Sequence, residues 1–212
     1  MWLLGLIAMS AGADEIWDAD RFVTEGYKRY GVESGMVSIA HKGAGSGTTT
    51  IWFDHWGWRE AKLVNKSSIA MGNPVEQHTW ELLDGEVLTT VDLMDRKGVR
   101  DREPELLAKA QSIPSKSMVH VGRDLLVGMG GVEGKPMKVA KLQCVPWTVE
   151  SLTATICLHE TGLTLHSQSA FMGIELVDVA TRVDLNATVD PARFSVPAGM
   201  TVLEKLPQPD LK

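Results

Sequence analysis

The 212-residue chain has no apolar run long enough to cross a bilayer as a helix, no basic stripe and only two cysteines. Each absence closes off a class. The longest apolar run, Met1 to Met9, is half the length a helical span needs, and no later segment does better. The 21 Lys and Arg are scattered against 27 Asp and Glu, net −6, so nothing is gathered to neutralise phosphates and nucleic acid is not an expected partner. Two cysteines cannot make a zinc site by themselves, and His41, His55, His78 and His120 are dispersed. No G-x-S-x-G elbow occurs, and the Gly43 to Gly47 loop lacks the lysine of a phosphate-binding loop. No catalytic residue, metal ligand or cofactor site is assigned, and the chain is not expected to be an enzyme.

What is present is strand pattern. Ser34 to Val64 alternates apolar and polar residues in three runs (Val37 and Ile39; Ile51 and Phe53; Trp58 to Val64) parted by turns at Gly43 to Gly47 and His55-Trp56-Gly57. Period-two alternation between such turns predicts antiparallel strands joined by hairpins. Two further strands are predicted at 78–82 and 87–93, joined by the Asp84-Gly85 turn. The charged stretch 95–103 reads as a solvated loop. A helix then starts at Pro104, and 94–131 as a whole reads as short helices and loops inserted into the sheet. Strands return at 137–145, 152–159, 163–170 and 175–184. Near the N-terminus, Ile16, Ala19, Val23, Tyr27 and Tyr30 recur at helical spacing and predict a helix over 14–30.

Ahead of it, Met1 to Met9, the small residues Ala11-Gly12-Ala13 and acidic Asp14-Glu15 predict a signal peptide over 1–13, although the usual basic n-region is missing. The expectation is a periplasmic or secreted protein with one domain over 14–206 and a frayed tail at 207–212. Its fold class is mainly β (α+β): a single antiparallel curved sheet, or half-barrel, of nine or ten strands. The N-terminal helix and the helical insertion would lie on its concave side.

Cys144 and Cys157 stand symmetrically about Glu150-Ser151, where the chain should turn. In the simplest hairpin register they face each other at disulfide distance. Two buried free thiols are the competing reading. His159 and His166 flank the Thr161-Gly162 turn, with His159 facing Thr164 and His166 facing Cys157, and are read as solvated strand residues.

Tyr30-Gly31-Val32-Glu33-Ser34-Gly35, Trp52-Phe53-Asp54, Trp56-Gly57-Trp58, Cys144-x-x-Trp147, Phe171-Met172-Gly173 and Phe194-Ser195-Val196-Pro197-Ala198-Gly199 resemble a bacterial envelope family of unknown function. That family is similar in turn to the periplasmic lipoprotein carriers of the Lol type. The resemblance implies an incomplete antiparallel barrel around an apolar cavity covered by helices. The chain departs from it at Cys157, where a second aromatic is usual.

Ile39, Ile51, Trp52, Phe53, Trp58, Trp80, Val91 and Leu93 are the candidates for a ligand-binding wall. Taken singly, each also fits an ordinary core position under the helix. Taken together they exceed what two short helices can cover, and surplus apolar surface marks a binding site. The functional expectation is an exported envelope protein that binds lipid or an acyl chain, in the manner of a lipid or lipoprotein carrier. A structural or protein-interaction module with a filled core and no ligand is the alternative.

Overall fold

The computed structural model describes residues 16–43, 45–70, 73–171 and 174–205. The expected signal peptide at 1–13 and the expected tail at 207–212 lie outside the described residues.

After the helix α1 (Ala19–Thr24), six strands follow as a meander: β1 (Gly35–Gly43), β2 (Gly45–Asp54), β3 (Arg59–Ala70), β4 (Asn73–Asp84), β5 (Val87–Asp92) and β6 (Lys97–Arg102). Two helices interrupt the sheet, α2 (Pro104–Gln111) and α3 (Val121–Gly128). Then come β7 (Val132–Glu133), β8 (Met137–Val139), β9 (Leu142–Val149), β10 (Ala154–Leu158), β11 (Thr164–Phe171), β12 (Ile174–Leu185) and β13 (Thr201–Glu204). The order across the sheet is β13-β6-β5-β4-β3-β2-β1-β12-β11-β10-β9-β7, with β8 paired to β9. The sheet is open: among the described residues no pairing joins β13 to β7. β8 touches β12 besides pairing with β9, so its hairpin folds back across the sheet.

The expected mainly-β sheet with few helices is present, with thirteen strands in place of nine or ten. The extra ones are short or charged. β6 carries Lys97, Arg100, Asp101 and Arg102, so its composition reads as loop, yet it pairs with β5 along its whole length. A strand next to the sheet edge can hold charge on both faces without burying it. β7 and β8 have two and three residues, too few to show a period. One pairing also departs from the antiparallel expectation, since β13 runs parallel to β6.

The N-terminal helix is six residues long instead of seventeen. Asp18 caps it by accepting from the Arg21 N–H at 2.9 Å, and Gly26 at φ +88° turns the chain out of helix. Ile16, expected inward, lies ahead of the Asp18 cap, outside the helix, and is 56% exposed, while Phe22, off the expected stripe, is fully buried and Tyr27, on the stripe, is buried as expected. The segment is stitched to the β4–β5 hairpin: Ala19 N–H donates to Asp84 at 3.0 Å, Trp17 N–H to Glu86 at 2.9 Å, and Glu86 N–H to the Trp17 carbonyl at 2.9 Å. Gly85, at φ +62°, permits this approach, because a Cβ there would lie 2.0 Å from the Trp17 carbonyl oxygen.

Three apolar clusters result. The largest gathers Val37, Phe53, Cys144, Cys157, Leu165 and Ala180. A second joins Phe22 and Tyr27 to Trp58, with Ala110 of α2. The third places Leu126 of α3 on Trp147 and Val149.

Candidate apolar cavity beneath the third helix

Side chains alternate between the faces of a strand, and cross-strand partners share a face. The unbroken register from β1 to β5 therefore sorts the eight wall candidates. Ile39, Ile51 and Phe53 share the face of Val37, where Phe53 is fully buried and the two isoleucines pack on the main core. Trp52 points the other way. So do Trp80 and Val91, which are linked to it through Ala61 and Leu63. On that second face Arg193 lies 4.8 Å above the Trp52 ring, and Arg59 lies 4.8 Å above Phe194, so the turn Pro191–Phe194 packs there. Trp58 precedes β3 and stacks on Phe22 with ring centres 3.7 Å apart. Leu93 falls in the turn after β5, half-buried. The eight are thus divided among four surroundings rather than brought together around one space.

The Val37 face of β3 and β4 is ionic. A cavity of about 320 Å³ there is lined by Arg29, Glu60, Lys62, Glu81, Leu83, Leu88, Glu103 and Leu106. Glu60, 3% exposed, accepts from the Tyr30 hydroxyl at 2.5 Å and from Lys62 at 3.1 Å, with Arg29 at 4.0 Å. Burial by itself would raise the Glu60 pKa. The charges of Arg29 and Lys62 and the Tyr30 hydrogen bond outweigh it and hold the carboxyl below its ordinary range. The Tyr30 hydroxyl is pushed far up, first by burial and then by the Glu60 charge.

A different space opens at the other end of the sheet. β9 and β10 alternate so that Val145, Trp147, Val149, Ile156 and Leu158 face α3, while Cys144 and Cys157 face the main core. The cysteines form a disulfide with Cα atoms 5.5 Å apart. They do so in a different register from the expected one: Cys157 pairs with Pro146, and Cys144 is its diagonal neighbour. The turn Glu150–Leu152, closed by Thr153 at φ +47°, moves the hairpin by two residues, and a two-residue shift keeps every side chain on its face. His166 does face Cys157.

Beneath the start of α3 lies a cavity of about 460 Å³. Val119, Val145, Trp147 and Leu158 form its walls, and His120, Arg123, Glu133, His159 and Glu160 stand among its polar lining. None of the eight wall candidates lines it. The His159 ring is fixed by Thr161, whose N–H donates to Nδ1 at 3.2 Å while its hydroxyl lies at 2.8 Å, so the proton of the neutral ring sits on Nε2. Burial pushes the His159 pKa down, against the opposing charge of Glu160. Sequence reasoning missed this place. The signal was the Val145-x-Trp147-x-Val149 alternation, which marks an apolar face opposite the cysteine. Among the described residues no group of three or more acidic, His or Cys side chains comes together to hold a metal.

No protein-family model matches the chain, and no curated protein sequence matches it. Solved structures share its fold. An uncharacterized conserved protein from Thermus thermophilus superposes with a TM-score of 0.52 at 4% identity, over 82% of this chain and 91% of that one. MucB superposes with a TM-score of 0.50 at 16% identity, over 87% of this chain and 65% of its own. The Pseudomonas aeruginosa MucA/MucB complex gives 0.49 at 15% identity, over 80% and 58%. At these identities the likeness is one of fold.

Proposed function

We propose that the protein is an exported envelope protein that binds an apolar ligand, a lipid or an acyl chain, in the cavity beneath α3. One observation carries the reading. A cavity of about 460 Å³, within the size range of small-molecule sites, is walled by Val119, Val145, Trp147 and Leu158. Its cover is an eight-residue helix in which Leu126 is the one fully buried side chain. Binding there works by burial, each methylene leaving water being worth about 0.8 kcal/mol. A cystine beside the cavity fits an oxidising compartment such as the periplasm. In this reading Ile39, Ile51 and Phe53 hold the sheet that carries the site, and the ligand touches Trp147.

A second reading, a structural or interaction module without ligand, draws on the filled core around Val37 and Phe53, each at most 1% exposed. Organic extraction and mass spectrometry of the purified protein, with titration of a fluorescent fatty acid, separates the two. Lipid in the extract and dye binding that is lost in Val145→Trp support the cavity. Clean extracts together with no dye binding leave the module.

A further inference from the structure

The large apolar side chains left in solvent are unevenly placed. Of thirteen exposed ones among the described residues, five (Leu125, Val127, Met129, Val132 and Met137) fall within one stretch of thirteen residues. Leu125 and Met129 are one helical turn apart on α3 and its cap, so they stand on one flank, with Val127 around the helix from them. The stretch is also basic in an acidic chain. Between 121 and 141 there are four cations (Arg123, Lys135, Lys138, Lys141) and two anions (Asp124, Glu133), whereas the whole chain carries −6. Arg123 bonds its neighbour Asp124 at 3.0 Å, which leaves three exposed lysines against Glu133.

We propose that α3 and the β7–β8 segment are the face by which the protein seats on an anionic lipid bilayer. Leu125 and Met129 enter the acyl boundary, and Lys135, Lys138 and Lys141 meet the headgroup phosphates. Exposed apolar side chains rimmed by lysine are the combination that interfacial membrane binding rewards, since burial and surface potential then act together. A protein partner fits the chemistry less well, because lysine is depleted from protein interfaces. The placement is continuous with the cavity, since Arg123 of α3 and Glu133 of β7 both line it. The docking stands without the cavity's ligand, and the two are tested separately.

The test is co-sedimentation of the full chain with vesicles of phosphatidylcholine alone or with a third of phosphatidylglycerol. The expected result is binding to the anionic vesicles, weaker at high salt and weaker on neutral ones. Leu125→Asp with Met129→Asp should abolish it. Lys135→Glu with Lys138→Glu should lower it on anionic vesicles by about fivefold or more for each lysine. Leu203→Asp, equally exposed but on β13, should leave it unchanged. Circular dichroism verifies that each variant is folded, and Leu125→Ser with Met129→Ser replaces any that is not. Dye binding without vesicles should be the same in the lysine variants and the parent chain. Wild-type protein that stays in the supernatant overturns the proposal, as do apolar variants that sediment like the parent. Lysine variants that bind anionic vesicles undiminished overturn the choice of an anionic surface.

Discussion

The two ends of the sheet are built on opposite principles. From β3 to β6 the strands pair antiparallel without a break in register, and the face turned toward α2 is held by ions: Glu60 among Tyr30, Arg29 and Lys62, with Glu81 beyond. Nearby, Glu86 is fully buried and bridged to Arg102 at 3.0 Å. From β9 to β11 the strands are short and the face toward α3 is apolar, with a cystine on the reverse side. The ionic end specifies geometry, because each charge has one place in which it is satisfied. The apolar end tolerates unfilled space, because Trp147 and Leu158 need no particular partner. A cavity suited to an apolar ligand therefore belongs at the second end, although the tryptophans are concentrated in the first.

The sharpest way to break the comparison is to unpair the ionic end. Glu60→Ala leaves Arg29 and the Tyr30 hydroxyl without their partner, and removing one member of a buried pair costs about 3–5 kcal/mol. Urea denaturation should show that loss, with dye binding at the α3 cavity unchanged under native conditions. The pH dependence has a defined sign. Because the folded Glu60 carboxyl lies below its ordinary range, its stabilisation is complete above the unfolded value, about 4.3, and is lost as pH falls through the lower folded value. Glu60→Gln should flatten acid unfolding below about pH 4. Equal acid sensitivity in the variant and the parent would show that Glu60 is not the titrating group.

The reciprocal experiment is at the apolar end. Cys144→Ser with Cys157→Ser opens the loop that the disulfide closes, and should lower stability by about 3 kcal/mol. Here dye binding should weaken as well, because Cys144 lines the cavity. A variant that loses stability while keeping full affinity would separate the cystine from the site.

How much of this could be read from the sequence follows from the same contrast. The meander was legible because Val37, Ile39, Ile51 and Phe53 alternate over strands of nine and ten residues. The disulfide was legible because two residues of slip do not change a face. The helix at 14–30 misled because a periodic stripe cannot show that the helix starts only after the Asp18 cap and is ended by Gly26. The separation of the eight wall candidates was illegible for a related reason. Alternation shows that Phe53 and Trp52 point oppositely, but not that both faces would be covered, one by the core and the other by Pro191–Phe194. Nor could composition show that Glu60 and Lys62 would face inward.

A smaller effect is expected at the helix cap. Asp18→Ala removes the acceptor for the Arg21 N–H and should cost about 1 kcal/mol in thermal or urea melts. Because α1 is fastened to the ionic end through Asp84 and Glu86, the cavity under α3 should not register the change. A loss of dye affinity in this variant would mean that the two ends are coupled through the sheet.

The smallest effect should distinguish the ends by pH alone. His159 lies on the cavity lining with its pKa pushed down by burial, so its neutral ring is the form the folded site prefers. A histidine whose folded value is depressed contributes stability that is present above its unfolded value, near 6.5, and lost as pH falls through the folded one. Protonation also places a charge beside Leu158 and Trp147, which opposes an apolar occupant. Dye affinity should therefore fall modestly between pH 7 and 5. Glu60, ionised across that whole range, should have no part in the change. His159→Gln keeps a polar side chain without a titrating ring, and its affinity should be level across the same interval. If the fall persists in that variant, another group on the lining carries the pH dependence, and the orientation of the His159 ring by Thr161 has no bearing on the site.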